Sequence, residues 1–441
     1  AVARAGEPLT VDEAARRAAL RTLDAESAET ELQKARARNE EIIIGFVPRL
    51  GLSASYKRLS DIEQPSLFQG GTLVVTQADS GPLMPDDLAP LPAGGGNFPV
   101  LLNQTRLKAE LTVPLSGYVF ELAAALSAVD ADADAAKAKV EAARVRAAAE
   151  ARLAYYRWAS AQLQIEVFEK RVEEAEERLD VTRERFEAGD AAQTEVLQAQ
   201  SALSRARLEL TQSRTAAANA EEALRTTLLD PYDADYDLPE DLEPAELPNG
   251  MAPVPELFDE AVEKRLEIRQ LEHAIDSFVS GEALTQAGGY PALELFGSIL
   301  SANPNPRFIP NQEEFDTTWE AGVRLRWSPN DLFSALAETR GARADTQRLR
   351  TQLKSFRQAL HREVVESRRA VMDAKANLQD AQDGLAAARA AYDQRKLTYE
   401  VGAATLLDLL QTETTLVLAE LDAIQARIRA RTALVRLRNA T

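Results

Sequence analysis

The sequence contains no cysteine. That excludes disulfides, Cys-based zinc sites, thiol nucleophiles and thioester lipid attachment together. Two histidines, His273 and His361, are too few for a His-rich metal centre. Glycine and proline supply only 20 residues each, and aromatics 6%. A chain of 441 residues would ordinarily make about two to four compact domains, but so few turn residues argue against a string of globules. No run of eighteen apolar residues occurs, so no membrane helix is expected. Basic charge is in deficit, with 51 Lys+Arg against 70 Asp+Glu and a net charge of −19. Phosphate binding needs clustered Lys and Arg, so a nucleic-acid partner is disfavoured. The opening Ala-Val-Ala-Arg has neither Met nor an apolar stretch, and the expectation is that any signal peptide is gone or was never there. Two classes survive: a long-helix scaffold, and a protein that meets a membrane without a hydrophobic helix.

Helical tracts dominate the sequence. Residues 118–188, 190–230 and 403–441 hold no Gly or Pro, and 331–401 hold only Gly341 and Gly384. Their Ala, Glu, Arg, Gln and Leu are strong helix formers. Seventy such residues would span roughly 105 Å. Val196, Leu203 and Leu210, or Leu406, Leu410, Val417 and Leu421, recur at heptad-like spacing. Ala-rich seams suit close helix packing, and a plain scaffold fits them equally well.

An internal duplication separates these possibilities. RFEAGDAAQTEVLQAQSALSRARLELTQSR at 185–214 and TYEVGAATLLDLLQTETTLVLAELDAIQAR at 398–427 align at one constant offset. Phe186 meets Tyr399, Gly189 meets Gly402, Glu195 meets Asp408 and Gln198 meets Gln411. A lone Gly inside a long helical tract marks the tip of a helical hairpin. The starts echo too, Val11-Asp12-Glu13-Ala14 against Phe258-Asp259-Glu260-Ala261. The expected organisation is a first repeat over 1–230, with a helix at 8–45, strands near 48–59 and 104–114, and a hairpin at 117–230 turning near 189. An acidic, Pro-rich linker comes next, at 231–255. The second repeat covers 256–441, with strands near 290–301 and 317–328 and a hairpin at 330–441 turning near 402.

The strand segments alternate. In 105–113, Leu107, Ala109, Leu111 and Val113 oppose Arg106, Lys108, Glu110 and Thr112. In 319–327, Trp319, Ala321, Val323, Leu325 and Trp327 oppose Glu320, Gly322, Arg324 and Arg326. Leu50, Leu52, Ala54 and Tyr56 form one weaker partner, and Leu293, Leu295 and Ile299 with Gly297 the other. Pro114 and Pro329 should stop strands, with Ser116 and Asn330 as helix caps. A soluble sheet packed on helices would also alternate. The charged face suits a water-filled lumen, however, and Trp319, Trp327 and Tyr56 suit a membrane-interface girdle. Four strands cannot close a barrel, and an open edge is not tolerated in lipid. Spanning would therefore require several chains, and three copies of four strands give twelve. Long segments separate the strands of each pair: 60–104 holds the Gly94-Gly95-Gly96 run, and 302–318 holds Asn303-Pro304-Asn305-Pro306. Long outer loops are a habit of outer-membrane barrels, although a disordered insertion reads the same way.

The order helix, strand, loop, strand, long hairpin, repeated once, resembles the TolC-type outer-membrane efflux protein family. So do LTVDEAARRAAL at 9–20, RFEAGDAAQTEVLQAQ at 185–200 and YEVGAATLLDLLQTET at 399–414. The resemblance covers essentially the whole chain. It implies a mostly α fold with a small β part. The assembly it implies is a homotrimer whose twelve-stranded transmembrane barrel, four strands per chain, continues as an α-helical barrel through the periplasm. Its localisation would be the bacterial outer membrane, in contact with outer-membrane lipid. It would act as a passive exit duct of a tripartite efflux or type I secretion system. Its partners would be a periplasmic adaptor and an inner-membrane transporter, with no cofactor and no metal.

The same resemblance places the adaptor-contacting hairpin tips at Gly189, Asp190, Ala191, Val401, Gly402 and Ala403, where Ala403 stands in place of a frequent Leu. It places the periplasmic pore constriction at Asp408, Gln411, Glu195 and Tyr399. Asp408 matches the first acidic position of the family's carboxylate ring, and Gln411 replaces the second. Tyr399 matches a latch Tyr, but Ala404 replaces the latch Arg that Glu195 would meet, so the closed-state lock is only partly present. Three carboxylates brought together by symmetry would attract cations, whereas an ordinary Asp of a long helix is simply solvated. No Gly-rich phosphate loop and no Ser elbow is present, and both histidines read as incidental helix residues, so no enzyme is expected. The alternatives are a periplasmic adaptor, with one hairpin flanked by small β domains, and a soluble coiled-coil scaffold.

Overall fold

The computed structural model describes residues 7–61, 72–76, 88–92, 101–238, 247–248, 250–309 and 311–441. The Gly94-Gly95-Gly96 run and much of the acidic linker lie outside the described residues. Two compact units result, each drawing on both halves of the sequence: 1–39 with 128–279 and 343–441, and 40–127 with 280–342.

The elements alternate between long helices and short strands. In order they are β1 (Glu7–Pro8), α1 (Val11–Arg21), α2 (Leu23–Phe46), β2 (Arg49–Arg58), β3 (Thr72–Thr76), β4 (Leu88–Pro92), β5 (Asn103–Pro114), α3 (Leu115–Phe120) and α4 (Leu122–Glu187). Next come α5 (Gln193–Leu228), β6 (Tyr236–Asp237), α6 (Val254–Lys264), α7 (Leu266–Ala287), β7 (Ala292–Asn303), β8 (Asp316–Arg326), α8 (Pro329–Glu400) and α9 (Leu406–Ala440). With no interior Pro, α4 runs 66 residues and α8 runs 72, straight through Gly341 and Gly384. No helix among the described residues is long and apolar enough to cross a membrane.

The helical unit is held together by small side chains. Near the turns, Ala175, Ala199 and Ala206 let the helices approach while Leu179, Leu203, Tyr392, Tyr399, Leu406, Leu409 and Leu416 fill the space between them. A second cluster centres on Trp158, which is fully buried among Leu9, Ala151, Tyr155, Leu224, Leu228 and Tyr236. There the parallel pair β1–β6 holds the first described residues against the chain. Strands of two residues are too short for any periodicity, so this pair has no signal in the sequence.

The other unit is built on one antiparallel sheet in the order β2-β5-β7-β8. Its register joins the alternations into two faces. Leu50 lies opposite Leu111, Gly297 and Ala321 in one row, and Leu52 lies opposite Ala109, Ile299 and Trp319 in the next. The reverse face carries Glu110, Ser298 and Glu320 in one row. β3 and β4 form a separate antiparallel pair inside the long 60–104 segment, where the expectation is a loop. The Leu73-Val74-Val75 run is a usable strand signal, obscured by Pro90 and Pro92 in its partner. Ser116 is not a cap: it lies inside α3, and its Oγ accepts the Leu293 N–H at 3.1 Å. Asn330 likewise falls inside α8, which begins at Pro329.

Candidate functional sites at the hairpin turns and on the sheet

Both hairpins turn by the same backbone device. Gly189 and Gly402 adopt left-handed conformations, with φ of 84° and 73°. The Gly189 N–H reaches Phe186 O at 3.0 Å and Asp190 N–H reaches Arg185 O at 2.8 Å; Gly402 and Ala403 repeat the pattern on Tyr399 O and Thr398 O. These are paired helix-ending bonds that require a residue free of left-handed strain. A Cβ at either glycine would meet nothing within 4 Å. Gly402→Ala should therefore cost about 1–2 kcal/mol through backbone strain alone.

The two turns differ in how the next helix begins. At the second turn Thr405 caps α9: the Asp408 N–H donates to Thr405 Oγ1, and the Asp408 carboxylate accepts from the Thr405 N–H at 3.2 Å and its hydroxyl at 2.7 Å. This is a reciprocal capping box, legible in the sequence as Thr-x-x-Asp, and it gives Asp408 a structural role at the start of α9. The Thr405 hydrogen bonds hold the Asp408 carboxyl below its ordinary value. The stability it brings is accordingly present above pH 3.8 and lost as pH falls through the lower folded value. At the first turn the cap position is Ala192, with no side-chain bond, although its backbone is already extended at φ −85°, ψ 149°. Glu195 sits at the position where Asp408 completes the other box. Ala192→Thr should complete the missing box and stabilise the protein by about 1 kcal/mol. Thermal melting in detergent checks both substitutions; an unchanged midpoint for Ala192→Thr would show that the turn's backbone cannot use a cap.

Gln411 is exposed and shares a groove with its duplication partner Gln198. Asp190, Val401 and Ala403 are exposed at the tips, and Ala191 is half-buried. Tyr399 is buried in the helix cluster, with the Arg185 guanidinium 5.5 Å from its ring centroid and no hydrogen-bond partner for its hydroxyl among the described residues. Sequence reasoning missed the most buried charges nearby. Arg178 Nη1 donates to Glu413 Oε2 at 2.5 Å, joining α4 to α9 with side chains 8% and 4% exposed. Burial raises the Glu413 carboxyl above its usual range, and Arg178 offsets only part of that.

On the sheet, Trp319 is 74% exposed, Tyr56 64% and Trp327 52%. They stand with Leu50, Leu52, Val323 and Leu325, also exposed, on the apolar face. Trp327 Nε1 donates to Gly289 O at 3.3 Å, and the Tyr56 hydroxyl donates to Asn103 Oδ1 at 3.0 Å. A face this apolar marks a surface that lipid or protein covers. Among the described residues β2 and β8 are each paired on one side only.

Known proteins resemble this chain in sequence or in fold. An efflux pump outer membrane protein of Pseudomonas putida, TtgC, is 26% identical over 152 residues, which is 34% of this chain. The match thus spans only 31% of that relative's length. The fold is similar to that of the CmeC outer membrane channel of Campylobacter jejuni, with a TM-score of 0.76 at 15% identity over 98% of this chain and 85% of that one. It is also similar to the outer-membrane channel OprN (TM-score 0.74, 21% identity, 98% and 89% covered) and to the open MtrE channel of Neisseria gonorrhoeae (0.71, 18%, 98% and 88%). The family model for outer membrane efflux proteins matches twice, over residues 14–228 and 257–441, once for each long hairpin. With both halves matched in this way, the chain belongs to the outer membrane efflux protein family.

Proposed function

We propose that three copies of this chain assemble into a passive conduit across the bacterial outer membrane. The sheets would close into one twelve-stranded barrel, and the helical hairpins would form a tunnel through the periplasm. The observation that carries the reading is the sheet itself. Its apolar, Trp-bearing face is exposed, its opposite face is charged, and among the described residues β2 and β8 each lack a neighbour on one side. Lipid tolerates such a sheet only if the edges are closed, and in one chain they are not. Closing β2 of one copy on β8 of the next satisfies the backbone and puts the tryptophans in the bilayer.

Within this reading the chain receives substrate from an inner-membrane transporter through a periplasmic adaptor. The exposed turns around Gly189, Asp190, Ala191, Val401, Gly402 and Ala403 are the adaptor's docking points. Asp408, Gln411 and Glu195 are the constriction residues, with Tyr399 supporting them from inside the protomer. One oxygen of Asp408 is engaged by Thr405, so its second oxygen is the one available to a cation. The adaptor and soluble-scaffold alternatives lose ground to a family match over both halves.

The absence of cysteine makes a direct test simple. Ala54→Cys in β2, combined with single cysteines at successive β8 positions, should give disulfide-linked trimers in membranes, and the purified wild type should conduct in planar bilayers. Asp408→Asn should then weaken cation preference. A monomer that stays in solution without detergent and never conducts would defeat the assignment.

A further inference from the structure

The chain is acidic overall, with 70 Asp and Glu against 51 Lys and Arg, but one surface reverses that balance. The strand register settles which charges share the polar face of the sheet. Most of its carboxylates are already matched. Glu110 lies 2.6 Å from Lys108, Glu294 lies 3.7 Å from Arg324, and Glu320 lies 2.5 Å from Arg307 of the preceding loop. Asp316 alone stands outside such a pair among the described residues. Four cations on the same face have no ionic partner among the described residues: Arg49, Lys57, Arg106 and Arg326. Arg106 reaches only the neutral Gln104, at 3.5 Å.

Their placement is ordered. Arg49 closely follows α2 and Arg326 closely precedes α8, so both lie toward the strand ends that join helices. Lys57 and Arg106 lie toward the opposite ends, where the chain enters its loops. Arg49 and Arg326 also occupy the two edge strands, so edge-to-edge closure would bring one copy's Arg49 strand beside the next copy's Arg326 strand. Charged side chains cannot face hydrocarbon without large cost, and the opposite face carries Trp319 and Leu325. The cations must therefore face water. In a narrow wet lumen with a low-dielectric wall, unpaired charge of one sign concentrates ions of the other.

We propose that the strand-lined part of this protein is an anion-favouring segment, tuned by Arg49, Lys57, Arg106 and Arg326 to pass small molecules bearing carboxylate, sulfonate or phosphate groups. The inference rests on the conduit reading above. It differs from that reading in sign as well as in place, since the acidic residues beyond the hairpin turns would favour cations.

The test is a reversal-potential measurement on the full-length trimer in planar bilayers under a potassium chloride gradient. Replacing all four residues by glutamine should lower the chloride-to-potassium permeability ratio, on the order of tenfold at low salt. The difference should shrink as ionic strength rises and the screening length falls. Because wild type and variant share the same helical residues, their contribution cancels in the comparison. Should the fourfold variant fail to insert, the pairs Arg49→Gln with Arg326→Gln and Lys57→Gln with Arg106→Gln each give a smaller shift in the same direction. Arg49→Lys with Arg326→Lys should leave selectivity as it was. Unchanged selectivity in conducting glutamine variants overturns the anion-favouring segment and leaves the conduit standing. A wild type that never conducts overturns the conduit and the segment together.

Discussion

Replacing Arg178 by methionine alone should destabilise the detergent-solubilised protein by about 3–5 kcal/mol at neutral pH, the expected result of stranding a buried carboxylate. Glu413 is 4% exposed, and Arg178 is its bonded partner at 2.5 Å. Arg171 also acts on its charge favourably and Glu174 unfavourably, but Arg171 is itself paired with Glu209. The neighbouring Tyr392 hydroxyl is pushed up to about 12, chiefly by burial, and stays protonated throughout the accessible range.

The pH dependence is set by the sign of the shift. Glu413 has a raised folded-state pKa, so its contribution favours folding below the unfolded value and is lost as pH rises through the folded one. Without Arg178 the shift grows, and the penalty of Arg178→Met should be smaller at pH 5 than at pH 8. Glu413→Leu should behave differently: it removes the titrating carboxyl and leaves a guanidinium that cannot neutralise itself, so its penalty should be no smaller at pH 5 than at pH 8. Combining the two substitutions should recover most of the loss, since an apolar pair of similar volume is often neutral or stabilising. Denaturant midpoints at the two pH values decide the matter. An Arg178→Met variant within about 1 kcal/mol of wild type at both would mean that water reaches Glu413 and that the pair is not buried in practice.

This pair also marks where sequence reasoning stops. The two residues lie 235 positions apart. The duplication that locates the turns offers no help, because their counterparts are Ala391 and Gln200, which cannot form the same bond. Local features are more legible. Lone glycines in Pro-free tracts become the two left-handed helix ends, since only the local backbone matters there. Alternation at Leu107–Val113 and Trp319–Arg326 becomes two-faced strands, because period two is set by the pleat itself. Asp408 shows how one local signal can have two uses. Resemblance points to a pore charge, while Thr405 three residues earlier already explains the carboxylate as a cap. The balance of charge on the sheet is illegible for a different reason. It depends on which strand neighbours which, and the β2-β5-β7-β8 order joins segments from opposite halves of the chain.

The second large effect concerns Trp158, and its size should depend strongly on the replacement. Trp158→Ala should cost about 3–5 kcal/mol, from lost transfer energy and the cavity left behind. The indole is 0% exposed and edge-on to Tyr155 and Tyr236, with ring centroids at 5.7 Å and 6.1 Å. Through Tyr236 it supports a polar network as well, because that hydroxyl donates to Asp230 at 2.8 Å and Asp230 also binds Arg17 and Arg21 of α1. Removing the ring should therefore loosen β1 and α1, so that limited proteolysis near residues 7–21 accelerates along with the fall in midpoint. Trp158→Phe should be much milder. It keeps an aromatic edge against both tyrosines, and it deletes an indole N–H that has no hydrogen-bond partner among the described residues. If Phe proves as damaging as Ala, the N–H is satisfied in solution and the cluster owes its stability to that bond. If Ala leaves both the midpoint and the cleavage rate unchanged, the amino-terminal segment is held by the Asp230 network and the β1–β6 pair without the indole.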